Sequence, residues 1–395
     1  MRDLGLDVRL EPVEVPHWVR GEETGAIVAW PGQPKGVQQR LALTALGGSV
    51  ATAAEGLRAP VLVVESMTAL EALPDDVVRG TIVLFDVAFD KALARIGQGG
   101  EAYDLAVQPR VRGASLAARK GAVAALVRSA GGAEFRLPHT GNMRYADGVP
   151  KIPAAAVAAE DAMLIARLAR HGRVELFLRL TPQTLDPVRS FNVVADLRGS
   201  QRPEEIVLVS GHLDSWDLGT GALDDAAGVA VAMETMQLLT RLDLHPSRTV
   251  RMVAWMNEEN GLAGARAYAA LHRAEISRHV AALESDLGAG HPAGFNLHGS
   301  AQLADLLEPV TRILAGAGAP AMQRNPWSGG ADISPLDDAG VPTLGLLQDS
   351  RTYFDYHHTA ADTLDKIDPA ELRVNAAVAA VLTYALAGFE GDVPR

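Results

Sequence analysis

The stretch SGHLDSWDLGTGALDDAAG, Ser210–Gly228, lies between two runs of opposite character. Before it, Ile206–Val209 reads IVLV, a short apolar run of the kind a strand buried on both faces requires. After it, Ala226–Leu242 is rich in alanine and leucine and reads as a helix. A strand that opens through a glycine-rich loop into a helix is where open α/β sheets place their ligands. This loop carries His212, Asp214, Asp217, Asp224 and Asp225. Imidazole and carboxylates together suit a divalent metal rather than a phosphate.

Outward from this point the alternation continues. Strand Thr249–Trp255 feeds helix Gly261–His272, and strand Ala281–Ser285 follows. Helix Ala301–Ala315 leads to strand Val341–Leu347 and then to a last helix, Pro369–Gly388. Such βαβα order predicts an α/β fold with a mostly parallel central sheet and helices on both faces. Upstream, Val8–Val15 alternates apolar and charged residues, a strand that Pro12 confines to an edge or a bulge. Between Gly25 and Leu180 the texture differs. Short strands are expected at 61–64, 81–85, 122–127, 154–157 and 174–180, with helices at 112–120 and 161–170. The Pro-containing run Thr181–Ser190 reads as a linker. The expected organisation is one domain from residues 1–24 and 185–395, interrupted by an inserted α/β domain at 25–184.

Composition narrows the chemistry. The chain has 395 residues, 48% of them hydrophobic, enough to build two cores. Its net charge of −12 argues against a nucleic-acid partner, which needs a basic surface. With no cysteine, thiol nucleophiles and zinc ribbons are excluded, so His, Asp and Glu must hold any metal. No apolar run reaches the roughly 20 residues that span a bilayer, and Ala376–Phe389 reads as a core helix. No membrane partner is expected. No signal-peptide pattern opens the chain at Met1, which leaves localisation open.

Acidic and imidazole clusters recur after the strand ends: His212 with Asp214, Asp224 with Asp225, Glu258 with Glu259, Glu284 with Asp286, and His357 with His358. In a parallel sheet these ends share one crevice. His212 can ligate a metal, and Asp214 is close enough to orient it. Helix capping accounts for one aspartate of the 224–225 pair but not for two. Asp224 therefore reads as a metal bridge and Asp225 as a cap or loop support. Of Glu258 and Glu259, one can ligate metal while the other serves as general base. Asp286 reads as a terminal ligand and Glu284 as a sheet-edge residue. One of His357 and His358 reads as a ligand. Asp332 and Asp362 read as loop or capping groups, and His139 and His171 as isolated histidines. The chain has no G-x-S-x-G elbow, P-loop or Rossmann fingerprint.

In order, the motifs GHLDSWD, GALDDAAG, NEEN, ESDLG, GGADISPL and HHTAADT resemble those of the co-catalytic zinc exopeptidases, the family of the bacterial leucyl aminopeptidases. LEPVEVPHWVRGEE, HTGNMRYADGVPKIP and RSFNVVADLRGS resemble its carboxypeptidase branch, so the likeness covers nearly the whole chain. The resemblance implies the zinc exopeptidase fold with a protease-associated-like inserted domain. It implies two Zn2+ per chain, with Co or Mn as substitutes. His212, Asp224 and Asp286 would hold one ion, and Asp224, Glu259 and His358 the other. Glu258 would be the general acid/base, Asp214 would orient His212, and Tyr353 would offer a hydroxyl to the oxyanion. The expected reaction is hydrolysis of terminal peptide bonds in dipeptides or short peptides by a water shared between the ions. The resemblance also implies a homodimer and, often, secretion. Ala226 replaces the family's glycine after the Asp pair, and the family's opening helical stretch is missing. The alternatives are a single-zinc acyltransferase of the glutaminyl-cyclase type and a non-catalytic receptor on the same fold.

Overall fold

The computed structural model describes residues 1–132 and 135–395. The backbone divides into two compact units. The first comprises Met1–Val15, Val188–Tyr353 and Asp362–Arg395, and the second Pro16–Pro187 and Phe354–Ala361. The sequence puts the seams at 24/25 and 184/185; the contacts put them at 15/16 and 187/188, and they add Phe354–Ala361 to the second unit.

The chain opens on β1 (Asp7–Val19), the edge strand of the first unit's sheet, which is where Pro12 can be tolerated. The second unit then follows with β2 (Glu23–Ala29), β3 (Gln39–Arg40), β4 (Leu43–Ala45), β5 (Leu57–Val64), β6 (Ile82–Phe85), helix α1 (Gly99–Arg119), β7 (Ala124–Arg128), β8 (Ala154–Val157), α2 (Ala159–Ala169) and β9 (Glu175–Leu180). Its sheet order is β3-β2-β9-β5-β6-β7-β8-β4, and β5 to β8 pair in parallel. Helix α1 begins well before the expected Arg112. Gly99, Gly100, Pro109 and Gly113 dilute its helical signal. Gly113 is there for packing: a Cβ on it would lie 2.8 Å from the Phe85 ring.

β10 (Gln183–Leu197) returns the chain to the first unit, so the expected linker at 181–190 is mostly strand. Residues 183–189 are all exposed, which gives an extended backbone the composition of a loop. Then come β11 (Arg202–His212), α3 (Ala227–Arg241), β12 (Arg248–Trp255), α4 (Ala263–Leu271), β13 (His279–Glu284), β14 (Pro292–His298), α5 (Ala301–Leu314), β15 (Ala321–Arg324), β16 (Thr343–Gln348) and α6 (Pro369–Gly388). The sheet order is β1-β10-β12-β11-β13-β16-β14-β15. Its centre, β12-β11-β13-β16, is parallel, flanked by antiparallel β10 and β14.

The central strands are buried on both faces. On one, Val231, Met236 and Leu239 of α3 and Leu382 and Leu386 of α6 pack on Val207, Val209 and Leu283. On the other, Trp255, Tyr268 and Leu336 pack on Leu208 and Ala282. Each such side chain contributes roughly 1.5–3 kcal/mol. All of β12 is buried, including Arg251, whose guanidinium donates to Asp196 at 2.8 and 2.9 Å and to the Tyr268 hydroxyl at 2.9 Å. Helix α6 reaches 20 residues and is long and apolar enough to cross a membrane, yet it packs within this core.

Candidate active site

His212 is the last residue of β11 and is almost fully buried. Its Nδ1 lies 2.8 Å from the main-chain carbonyl of Asp214, so Nδ1–H donates there and Nε2 points the other way. Nε2 stands 3.0 Å from Asp224 Oδ1 and 3.3 Å from Asp286 Oδ1. The three donor atoms lie within 4.8 Å of one another, a spacing that can hold a metal ion. Burial works to lower the His212 pKa, but Asp286 and Asp224 outweigh it and raise it well above the usual value.

The other carboxylates hold main chain. The sequence leaves Asp214 to orient His212 directly or by positioning the loop. Its carbonyl accepts from His212 Nδ1, and its carboxylate accepts Glu258 N–H at 3.0 Å and Glu259 N–H at 3.3 Å. After the end of β11 the chain turns, leaving the Asp214 side chain beside the Glu258–Glu259 turn. Asn192 pins the same turn, accepting Met256 N–H at 3.0 Å and donating to Gly264 O at 2.9 Å.

Asp225 accepts His212 N–H at 3.0 Å and Gly228 N–H at 3.0 Å, so it supports the loop and the start of α3 together. Backbone approach here is close: a Cβ on Gly228 would collide with Ser285 O and the Asp225 carboxylate. Asp362 does not cap the final helix, where Asp368 takes that place. It accepts Leu223 N–H at 2.6 Å and Asp224 N–H at 3.3 Å. Glu284 is no edge residue: it ends the central strand β13 and accepts Ile333 N–H at 3.0 Å and Asp332 N–H at 3.3 Å. Asp332 is 1% exposed, and neither carboxylate oxygen has a hydrogen-bond partner, so it is not a cap.

These acids crowd one another. Burial, reinforced by neighbouring Asp286, pushes the Asp225 carboxyl well up and that of Glu284 to about 7. Burial likewise raises Glu258, Asp332, Asp214 and Asp362. Such a cluster calls for a cation. Tyr353 is buried too, its ring against Gly288, where a Cβ would come within 2.8 Å. Burial and the charge of Asp224 keep its hydroxyl protonated.

His357 and His358 lie on the segment that groups with the second unit. Within that unit their rings stack with centroids 3.7 Å apart, and His358 Nδ1 is 3.3 Å from Thr140 O. His139, expected to stand alone, has Nε2 3.0 Å from His357 Nδ1. Nothing local in the sequence announces that pairing, which joins residues 218 positions apart.

Comparison with known proteins identifies the family. Residues 192–383 match peptidase family M28. Human carboxypeptidase Q is 39% identical over 393 residues, covering 99% of this chain and 79% of the relative. The rat protein of the same name is 40% identical over the same span. Among solved structures, a peptidase M28 precursor from Shewanella amazonensis superposes with a TM-score of 0.93 at 39% identity, covering 100% of this chain and 87% of that one. An aminopeptidase from Aneurinibacillus shares the fold at a TM-score of 0.65 and 20% identity, covering 100% of this chain and 89% of that one. On identity and coverage together, the chain belongs to peptidase family M28.

Proposed function

We propose that the protein is a zinc-dependent exopeptidase that hydrolyses terminal peptide bonds of dipeptides or short peptides with two metal ions. One observation carries the reading: the Asp214 carbonyl turns His212 Nε2 onto the carboxylates of Asp224 and Asp286. The donor set fits zinc, since one imidazole Nε2, the buried carboxylate of Asp224 and the half-buried one of Asp286 match its preference for nitrogen and oxygen ligands. His212, Asp224 and Asp286 would hold one ion. Asp224, Glu259 and His358 would hold the second, with Asp224 shared; Co or Mn would suit the same donors. Zinc bound there supplies Lewis-acid polarisation of the peptide carbonyl and makes the attacking water more acidic.

The chain's own groups do the rest. Glu258, fixed through its amide by Asp214, takes the water's proton and passes it to the leaving amine. Tyr353, held protonated by burial, offers its hydroxyl to the developing oxyanion. The second unit serves as a protease-associated-like module for the peptide, and the assembly is a homodimer. A dipeptide panel tests the activity after chelation and zinc readdition, with acetylated and amidated peptides reporting which terminus is read. Glu258→Gln should keep its zinc and lose at least a hundredfold in kcat. Full activity in that variant would remove Glu258 from the reaction.

A further inference from the structure

In the first unit the half-buried Asp214 and the buried Asp225, Glu284 and Asp362 accept main-chain amides, and the first three act on turns already discussed. Asp214 holds the Glu258–Glu259 turn, Asp225 holds His212 against α3, and Glu284 holds the 332–333 turn. Asp362 differs in what it grips. Its carboxylate accepts the amides of Leu223 and of Asp224 itself. Its carbonyl accepts Thr220 N–H at 2.8 Å and the Thr220 hydroxyl at 3.1 Å. One residue, 4% exposed, thus pins both ends of the Thr220–Asp224 loop. Along the chain it stands four positions after His358.

We propose that Asp362 is a positioning residue for metal binding, fixing the main chain of the shared ligand Asp224. The inference rests on the two-metal reading above. The clamp holds Asp224, the ligand that both ions would share. Loss of the clamp should therefore weaken both ions together. Outer contacts to ligands of this kind typically govern metal affinity by about 10–100-fold.

The test compares wild type, Asp362→Asn, Asp362→Ala and Thr220→Val in zinc buffered with a chelator. Bound zinc is counted by elemental analysis, and melting is measured on the metal-free proteins. Wild type and Thr220→Val should hold two ions per chain. Asp362→Asn keeps one acceptor oxygen and should bind zinc about tenfold more weakly; Asp362→Ala should bind it up to a hundredfold more weakly. A purely structural role would lower the metal-free melting point and leave both affinities at wild-type values; that result overturns the proposal. Wild type binding fewer than two ions would instead sink the two-metal reading, and the inference with it.

Discussion

Asp214→Asn separates two roles that one side chain could have. The substitution is nearly isosteric and leaves the Asp214 carbonyl, which holds His212 Nδ1 at 2.8 Å, where it is. The carboxylate that accepts Glu258 N–H and Glu259 N–H becomes an amide. Its oxygen can keep one of these bonds, but its NH2 then faces the other N–H, donor against donor. One charge-assisted hydrogen bond is lost, worth about 1.5–3 kcal/mol, at the turn carrying both the proposed base and a proposed ligand. If that loss falls on the transition state, kcat/KM drops about 10–100-fold. The assay is kcat/KM on one dipeptide at saturating zinc, alongside a zinc count. We expect the ion at His212, Asp224 and Asp286 to remain. A kcat/KM within twofold of wild type would refute the clamp. Loss of the His212 ion would restore the direct orienting role that the motif suggests.

Gly228→Ala should prevent correct folding, because the new methyl falls on Ser285 O and the Asp225 carboxylate at a main-chain contact that cannot yield. Soluble, fully active protein would contradict the model of close backbone approach. His279 gives a pH effect. Burial, with Arg251 nearby, lowers its pKa from 6.5 to about 4, and the neutral ring accepts from the Tyr268 hydroxyl at 2.8 Å. The unfolded chain then binds the extra proton between those values. Stability is full above about pH 6.5 and falls towards pH 4, by up to about 3 kcal/mol. His279→Gln should flatten that part of the curve of urea midpoint against pH; an unchanged slope would show that the loss comes from other groups. Zinc at a hundred times its Kd should add about 2.7 kcal/mol, or roughly 5–10 °C in melting temperature for a domain of this size. No rise on readdition to chelated protein would count against a metal site.

The parallel core was legible because β11, β12 and β13 are covered on both faces and each carries a continuous apolar run, IVLV at 206–209, MVAW at 252–255 and VAAL at 280–283. Polarity hid the start of β10, where the side chains face water. A glycine hid β14: Gly294 has φ +139° at a register shift, and PAGFNLH loses its alternation there. The metal-type residues were legible because ionisable side chains directly after buried strands are costly without a partner. The clamps were not. Asp362 reaches Leu223 across 139 positions, and its surroundings in the chain look like a helix cap. Asp214 looked like a partner for the histidine two residues away, since only the folded turn brings the Glu258 and Glu259 amides to its carboxylate.

The clamps also decide which carboxylates remain for chemistry. Asp224 and Asp225 are neighbours, joined by a cis peptide bond, with nothing in their order to tell them apart. Asp225 has an amide on each oxygen, from His212 and from Gly228. Asp224 has its own amide held by Asp362 and turns Oδ1 to His212 Nε2. A carboxylate with both oxygens on main chain is a poor ligand; one whose main chain is held and whose oxygen faces an imidazole is a good one. The same rule sorts Glu284, spent on the Asp332 and Ile333 amides, from Asp286, whose Oδ1 faces His212. Amides orient the clamping carboxylates without cancelling their charge, so each clamp adds to the negative field at the remaining acids. Burial first, and the charge of Asp286 beside it, make Asp225, Glu258 and Glu284 weaker acids than free carboxyls. A scaffold that concentrates carboxylates this way suits a divalent cation.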